Sequence, residues 1–378
     1  MPKGPIEAEA DGQIGDAVEE GIGRQKPSRF ALLEQLGPRM KCQVKCMPLW
    51  RHFLPAVLVY SIWCYVMTKL DAWSEVSSYY VLSLAMVFGS LIAGSTPVGG
   101  GVVAFPLVVL YLKLPADQGR DLSLLVQAIG MSAASFLLIY AKRHLCHFWI
   151  ILWFLISSLA GLMIGFELNI SSRTASLLFT TTVSCFAIAY FYYLWRQGAL
   201  TETREAIEPW ELRTYHPSLP WLLTTLACLF GVLGGALTAK IGSGADIFTY
   251  IFGIVWNALV PKEAQISENM LTASSVVVMA GCSVFGVLLR LMTGEIAQEV
   301  RLCWAACVPV VVLGAPLGSL LLTPRLTEIL RRLFYLFVLV QFVSMSILQL
   351  KDDWIGWSLV LVALVATALA SHVVFHCK

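Results

Sequence analysis

Two clusters of glycine and small polar residues interrupt the apolar stretches of this chain. The first tract is Gly99, Gly100 and Gly101, and the second tract is Gly242, Ser243 and Gly244. Glycine has no Cβ, so backbone of this composition can turn sharply and bring its N–H groups close to an oxyanion. Together with the partial positive charge at a helix start, such N–H groups stabilise a bound anion without a mobile cation. The two tracts therefore predict a site for a small anion.

Polar residues beside the tracts are further candidates, because a hydroxyl or an ammonium group adds a donor to the same anion. The predicted substrate-binding residues are Ser95, Thr96, Gly99, Gly100, Gly101, Pro106, Lys240, Gly242, Ser243 and Gly244. Thr238 is a further hydroxyl candidate. Two helix breaks in matching places of a membrane protein point to the substrate site of a transporter. Valine at Gly100 is therefore expected to block transport, because a branched Cβ would keep the anion from the backbone.

Two carboxylates lie inside apolar stretches, where ionisable residues are functional by default. We expect Asp246 or Glu268 to bind a coupling ion, in particular a proton on Glu268. The alternatives are a neutralising pair between Asp246 and Lys240, and a place for Glu268 near the membrane surface. Gln127 is polar in apolar surroundings, and hydrogen bonding between helices is enough to explain it. The six histidines fall at the ends of apolar runs or in loops, so neither a metal nor a cofactor is predicted.

The elements that must position these residues are membrane helices. Apolar residues make up 58% of the 378 positions and charged residues 13%, against about 25% charged in soluble domains. The mean hydropathy is +0.75. The formal net charge of +2 is too small to indicate a nucleic-acid partner. The sequence also has no basic stripe with interleaved aromatic residues, so nucleic-acid binding is not predicted. The composition predicts an all-α polytopic membrane protein of about ten to twelve transmembrane segments, whose partners are the lipid bilayer and a small anionic substrate.

The apolar runs give the predicted organisation of the chain. Spans are predicted at residues 53–69, 79–96, 98–114, 121–140, 148–166, 174–195, 219–239, 242–260, 265–289, 302–323, 333–350 and 355–375. Residues 79–112 are too few for two full crossings and a turn, so at least one of these segments should be partial. Lys and Arg are more frequent in the segments predicted to lie on the same side of the membrane as the N-terminus. Cytosolic segments carry an excess of these residues, so the N-terminus is predicted to be cytosolic. The sequence indicates neither which membrane holds the protein nor its oligomeric state.

Similar features recur in the two halves in the same order. Each half carries a glycine tract, then a polar patch near Gln127 or Glu268, then a glycine pair, Gly161 with Gly165 or Gly314 with Gly318. We interpret the glycine pairs as helix-packing positions. Five segments per copy would invert the second copy relative to the first, as in many secondary transporters. The predicted domains are a disordered cytosolic tail (1–47), an extra span (48–78), repeat 1 (79–195), a polar cytosolic linker (196–218), repeat 2 (219–350) and a last span (351–378).

The glycine tract followed by a proline-containing apolar helix, once per half, resembles the sulfite exporter TauE/SafE family. The resemblance rests on Gly94, the first tract and Pro106, and covers roughly residues 79–350. The second tract departs from the pattern, with Ser243 in place of a glycine and Thr249 at the proline position. The resemblance implies a permease for small sulfur-containing anions, such as sulfite or an organosulfonate.

Three functions remain open on the sequence. The first is a secondary transporter of a small anion, and the second is a proton- or cation-coupled carrier of another solute that uses Asp246 and Glu268. The third is a membrane scaffold or receptor whose polar tail binds partners. An enzyme is not predicted, because there is no Gly-x-Ser-x-Gly elbow with a histidine deep in a span and no nucleotide-binding loop.

Overall fold

A computed structural model describes residues 54–96, 98–197, 209–214, 218–294, 296–320, 324–349 and 354–376. All regular secondary structure in these ranges is helical, which confirms the prediction of an all-α protein. The predicted tail (1–47) and most of the predicted linker (196–218) lie outside the described residues.

The helices follow the apolar runs of the sequence. In chain order they are α1 (Leu54–Leu70), α2 (Trp73–Ser77), α3 (Tyr80–Ser95), α4 (Gly101–Pro106), α5 (Ala116–Ala141), α6 (Phe148–Glu167), α7 (Ser172–Gln197), α8 (Leu219–Ile241), α9 (Ala245–Leu259), α10 (Glu268–Thr293), α11 (Gln298–Leu320), α12 (Pro324–Gln349) and α13 (Trp354–His376). Short 3₁₀ turns occur at Arg143–Leu145, Pro209–Thr214 and Lys262–Ala264.

Seven of the described helices are long and apolar enough to cross a bilayer: α5, α6, α7, α8, α10, α11 and α13. Helices α1, α3 and α9 contain shorter apolar stretches of 10–17 residues. Large apolar side chains also cover the outside of the bundle, including Leu58, Ile347 and Leu359. Lipid tails accept such side chains as readily as a protein core does. The protein is therefore an integral membrane protein.

Helical structure is interrupted at both tracts. Helix α3 ends at Ser95, and α4 begins only at Gly101 and passes into a π-helical turn, Leu107–Tyr111, directly after Pro106. Proline lacks the N–H of a regular helical hydrogen bond, which explains the change of pitch there. Helix α8 ends at Ile241, Gly242 follows in the left-handed region (φ 78°), and α9 begins at Ala245. Helices α4 and α9 are consequently short.

Two pairs of helices that are distant in sequence pack closely side by side: α6 with α8, and α3 with α11. In the first pair, Gly161 faces Val232 and Gly165 faces Ala236, so both helices run in the same direction. In the second, Gly314 faces Ser90. The Ser319 hydroxyl donates to the Gly94 carbonyl over 2.9 Å. Small residues at both interfaces let the backbones approach.

Helices α5 and α10 lie antiparallel against each other and carry the polar residues of the interior. Arg290, near the end of α10, reaches Asp121, near the start of α5. At the other end of α5, the Lys142 ammonium donates to the Ser319 and Leu320 carbonyls over 3.0 Å each. A cation is favoured there because it lies at the C-terminus of α11. These contacts define an Arg290 end and a Lys142 end of the bundle.

Candidate functional site

The two tracts are in direct contact inside the bundle. The Ser243 hydroxyl lies 3.4 Å from the Val98 carbonyl oxygen. A Cβ added at Gly101 would lie 2.9 Å from the Cβ of Ser243. Gly99 and Gly242 have φ angles of +63° and +78°, which side chains with a Cβ rarely adopt. The backbone therefore approaches this closely because these positions are glycine.

Helix α5 supplies two polar side chains to this contact. Ser123 Oγ donates to the Gly242 carbonyl over 3.0 Å, and Gln127 Nε2 donates to the same carbonyl over 2.7 Å. Gln127 Nε2 also donates to Ser123 Oγ over 2.8 Å. Both side chains are buried, and Gln127 lies near the centre of α5. Ser123 is not among the predicted site residues, and Gln127 was explained by hydrogen bonding between helices. Their spacing of four residues on an apolar helix was the available signal.

Asp246 lies in the first turn of α9 and is completely buried. Its Oδ1 accepts hydrogen bonds from the N–H groups of Gly244 (3.1 Å) and Ile247 (2.9 Å). The Ser243 hydroxyl lies 3.3 Å from the same oxygen. The carboxyl group thus occupies the N-terminus of its own helix and accepts from its N–H groups.

Lys240 does not accompany Asp246. Its ammonium donates to the carbonyl of Leu168, just beyond the end of α6, and it makes neither an ion pair nor a hydrogen bond with Asp246. The expected neutralising pair is therefore absent from the described residues, and the Lys240 side chain is directed away from the contact between the tracts. The chain reverses at Gly242, so six residues of separation do not bring the two side chains together.

The expected hydroxyl donors are mostly used by their own helices. Ser95 Oγ donates to the Leu91 carbonyl over 2.7 Å, and Thr96 Oγ1 donates to the Ile92 carbonyl over 2.8 Å. Thr238 Oγ1 accepts from the Ala245 N–H over 2.9 Å and so supports the start of α9. Ser243 is the hydroxyl that lies between the tracts.

The surroundings of Gly100 and Pro106 differ from those of Gly99 and Gly101. The nearest atoms to a Cβ at Gly100 would be 3.6 Å away or more, which is ordinary van der Waals distance. Gly100 also borders a small cavity of about 10 Å³, enough for one water molecule. Pro106 lines a separate cavity of about 170 Å³ between α3, α4 and α12. The protein therefore has room for a Cβ at Gly100, and the expectation that valine there blocks transport by keeping the anion from the backbone stays a prediction.

Glu268 belongs to a closed ion pair at the start of α10. Arg331 Nη2 lies 3.0 and 3.2 Å from its two carboxylate oxygens, and the Tyr190 hydroxyl donates to Oε1. The guanidinium carbon also lies 5.7 Å from the Tyr190 ring centroid. Glu268 is 5% exposed, so its carboxylate is not free in water.

A second buried ion pair lies at the Arg290 end. Arg290 Nε lies 3.1 Å from Asp121 Oδ1, and Arg290 Nη2 lies 3.0 Å from Oδ2. Arg120 Nε donates to Oδ1 over 2.8 Å. Asp246 differs from Glu268 and Asp121 because, within the part of the chain that the structure describes, no cation forms an ion pair with it.

Metal ligation has no support within the described ranges, where no group of three or more His, Cys, Asp and Glu side chains could hold an ion. The seven described cysteines are free thiols. The arrangement therefore offers backbone donors, hydroxyls, one amide and one carboxylate.

Comparison with protein families supplies independent information. The family described as sulfite exporter TauE/SafE matches residues 82–345, which is more than half of the chain and includes both tracts. No curated protein and no solved structure matches the chain.

Proposed function

The chain belongs to the sulfite exporter TauE/SafE family, and from that premise we propose that it is a secondary transporter of a small sulfur-containing anion. The substrates we propose are sulfite or an organosulfonate. The substrate site is where the first and second tracts meet.

The observation that carries this proposal is the contact between the tracts. Val98 and Gly101 from one half of the chain adjoin Ser243 from the other half, in the buried interior. Moving an anion out of water costs several kcal/mol unless donors replace its hydration. At the first tract, glycine backbone at the start of α4 would provide these N–H donors without steric obstruction. The N–H groups of Gly244, Ala245 and Ile247 at the start of α9 are already bonded to Asp246 and Thr238.

An inverted repeat is part of the proposal, and the helix pairing supports it. If α3 corresponds to α8 and α6 to α11, exchanging the two halves converts the α6–α8 pair into the α11–α3 pair. Both pairs are close, parallel and lined by small residues. Such symmetry would let the two halves exchange conformations around one central site.

A second candidate is a proton- or cation-coupled carrier of another small solute. Asp246 is buried, and no cation among the described residues pairs with it, which favours coupling through this residue. Glu268, the other expected coupling residue, is already neutralised by Arg331.

Transport by purified protein in proteoliposomes tests the proposal. Three exchange rates are compared: labelled sulfite into sulfite-loaded vesicles, labelled sulfate into sulfate-loaded vesicles, and labelled acetate into acetate-loaded vesicles. The sulfite exchange should be the fastest. The controls are preloaded vesicles without protein and vesicles that contain the Gly101→Val variant. Equal rates for all three anions, or no flux above that of vesicles without protein, would contradict a sulfite-selective carrier.

A further inference from the structure

Two buried oxygens face the same point beside the first tract, and neither has a donor close enough for a strong hydrogen bond. Asp246 Oδ2 lies 2.5 Å, and Gln127 Oε1 2.6 Å, from the position that a Cβ would take at Gly99. Gln127 is 1% exposed, and its Oε1 has no hydrogen-bond partner. Asp246 Oδ2 has only the Ser243 hydroxyl, at 3.4 Å. An unsatisfied buried acceptor is costly, so this pair requires an explanation.

The orientation of the Gln127 amide is determined by its neighbours. Its Nε2 lies 2.7 Å from the Gly242 carbonyl, which can only accept a hydrogen bond. Reversing the amide would place two acceptors at that distance. Oε1 must therefore be the atom that faces Asp246, and an ionised carboxylate would repel it.

We infer that Asp246 and Gln127 form a proton-binding site in which Asp246, as a neutral acid, directs its Oδ2 proton toward Gln127 Oε1. One proton on Oδ2 gives every polar atom of the pair a partner, because Oδ1 keeps its hydrogen bonds from Gly244 and Ile247. Gly99 is needed because a Cβ there would lie 2.5 Å from Asp246 Oδ2 and 2.6 Å from Gln127 Oε1, which is closer than either oxygen allows.

The charged and titratable groups around Asp246 do not replace this proton. Arg120 of α5 is paired with Asp121, and Lys240 of α8 is bonded to the Leu168 carbonyl. Cys282 of α10 is a buried thiol. Tyr250, one turn further along α9, is also buried and neutral in its ordinary state. None of these groups neutralises the Asp246 carboxylate, so a bound proton is needed to do so.

The consequence for transport rests on the proposed function. The Asp246 carboxylate takes one proton from water on one side of the membrane to become the neutral acid and releases that proton on the other side, which regenerates the carboxylate. While it is protonated, a substrate anion at the adjoining tracts meets no fixed negative charge from Asp246. Substrate anion and proton would therefore move together.

The experiment combines a spectroscopic readout with a transport readout. Infrared difference spectra of the purified full chain, taken between an acidic and an alkaline pH, should show the carbonyl stretch of a protonated carboxylic acid, and Asp246→Asn should remove it. The Gln127→Leu variant should titrate this band at a pH lower by about one unit, since one hydrogen bond to the neutral acid is lost. Glu268→Gln is the matched control and should leave the band in place.

In proteoliposomes, Asp246→Asn should lose uptake driven by a pH gradient but keep exchange of labelled sulfite for sulfite. A band that is absent from the unmodified protein, or that persists in Asp246→Asn, would overturn the proton site. A sodium or potassium gradient driving uptake in place of a pH gradient would assign a metal cation instead. If no sulfite flux occurs while the band behaves as expected, the substrate proposal fails and the proton site stands.

Discussion

Gly99, Gly100 and Gly101 are consecutive, yet a methyl group would meet different surroundings at each position. At Gly99 it would enter a left-handed backbone position and approach Asp246 Oδ2 to 2.5 Å. At Gly101 it would approach Ser123 Oγ to 2.6 Å. At Gly100 it would have ordinary van der Waals space. The tract therefore contains an internal control for the role of close backbone approach.

We predict that Gly99→Ala and Gly101→Ala abolish sulfite exchange, whereas Gly100→Ala retains it. Gly99→Ala should also destabilise the protein by about 1–2 kcal/mol, because alanine is strained at positive φ. Exchange in proteoliposomes and thermal unfolding in detergent measure the two effects. Loss of exchange in Gly100→Ala with normal rates in the other two variants would show that the tract contact is not the substrate site.

At the scale of helices, the close pairs α6–α8 and α3–α11 hold together segments that are far apart in sequence. A Cβ at Gly161 would overlap the Val232 carbonyl oxygen, which belongs to backbone and cannot rotate away. Gly286 of α10 faces only the flexible ends of Leu124 and Leu162, at 3.2 Å or more. Adding a Cβ at Gly161 would thus require the backbone of α8 to move, whereas adding one at Gly286 would require only leucine side chains to move.

Gly161→Ala should lower stability by about 1–3 kcal/mol, the usual cost of overpacking. It should leave the affinity for sulfite unchanged in the fraction that remains folded. Gly286→Ala should be near neutral, because alanine gains helix propensity of up to about 1 kcal/mol. Thermal unfolding in detergent, with and without sulfite, checks both variants. Weaker sulfite binding by folded Gly161→Ala would assign this glycine to the site instead of to packing.

For the whole molecule, both tracts and both buried ion pairs lie within the segment that matches the transporter family. The polar residues 1–47 precede that segment. A transport function therefore requires the helical part, whereas a scaffold function would require the tail.

Deletion of residues 1–47 should leave the rate of sulfite exchange within about twofold of that of the full chain, because an effect under 0.5 kcal/mol is typical away from a site. The measurement uses equal amounts of reconstituted protein, quantified after purification. Loss of exchange with intact folding would favour a regulatory or scaffold role for the tail.

The sequence by itself determined that the protein is helical and spans a membrane, and its resemblance identified the transporter family. A bilayer requires each helix to satisfy its own backbone, so this information is local and readable from apolar runs and glycine clusters. Side-chain partnerships were decided by tertiary structure. Gln127 bonds to Gly242, which is 115 residues away, and Glu268 pairs with Arg331 from another helix. Lys240, only six residues from Asp246, is directed toward Leu168 instead. Such pairings depend on how distant segments pack, and that information is not contained in local spacing.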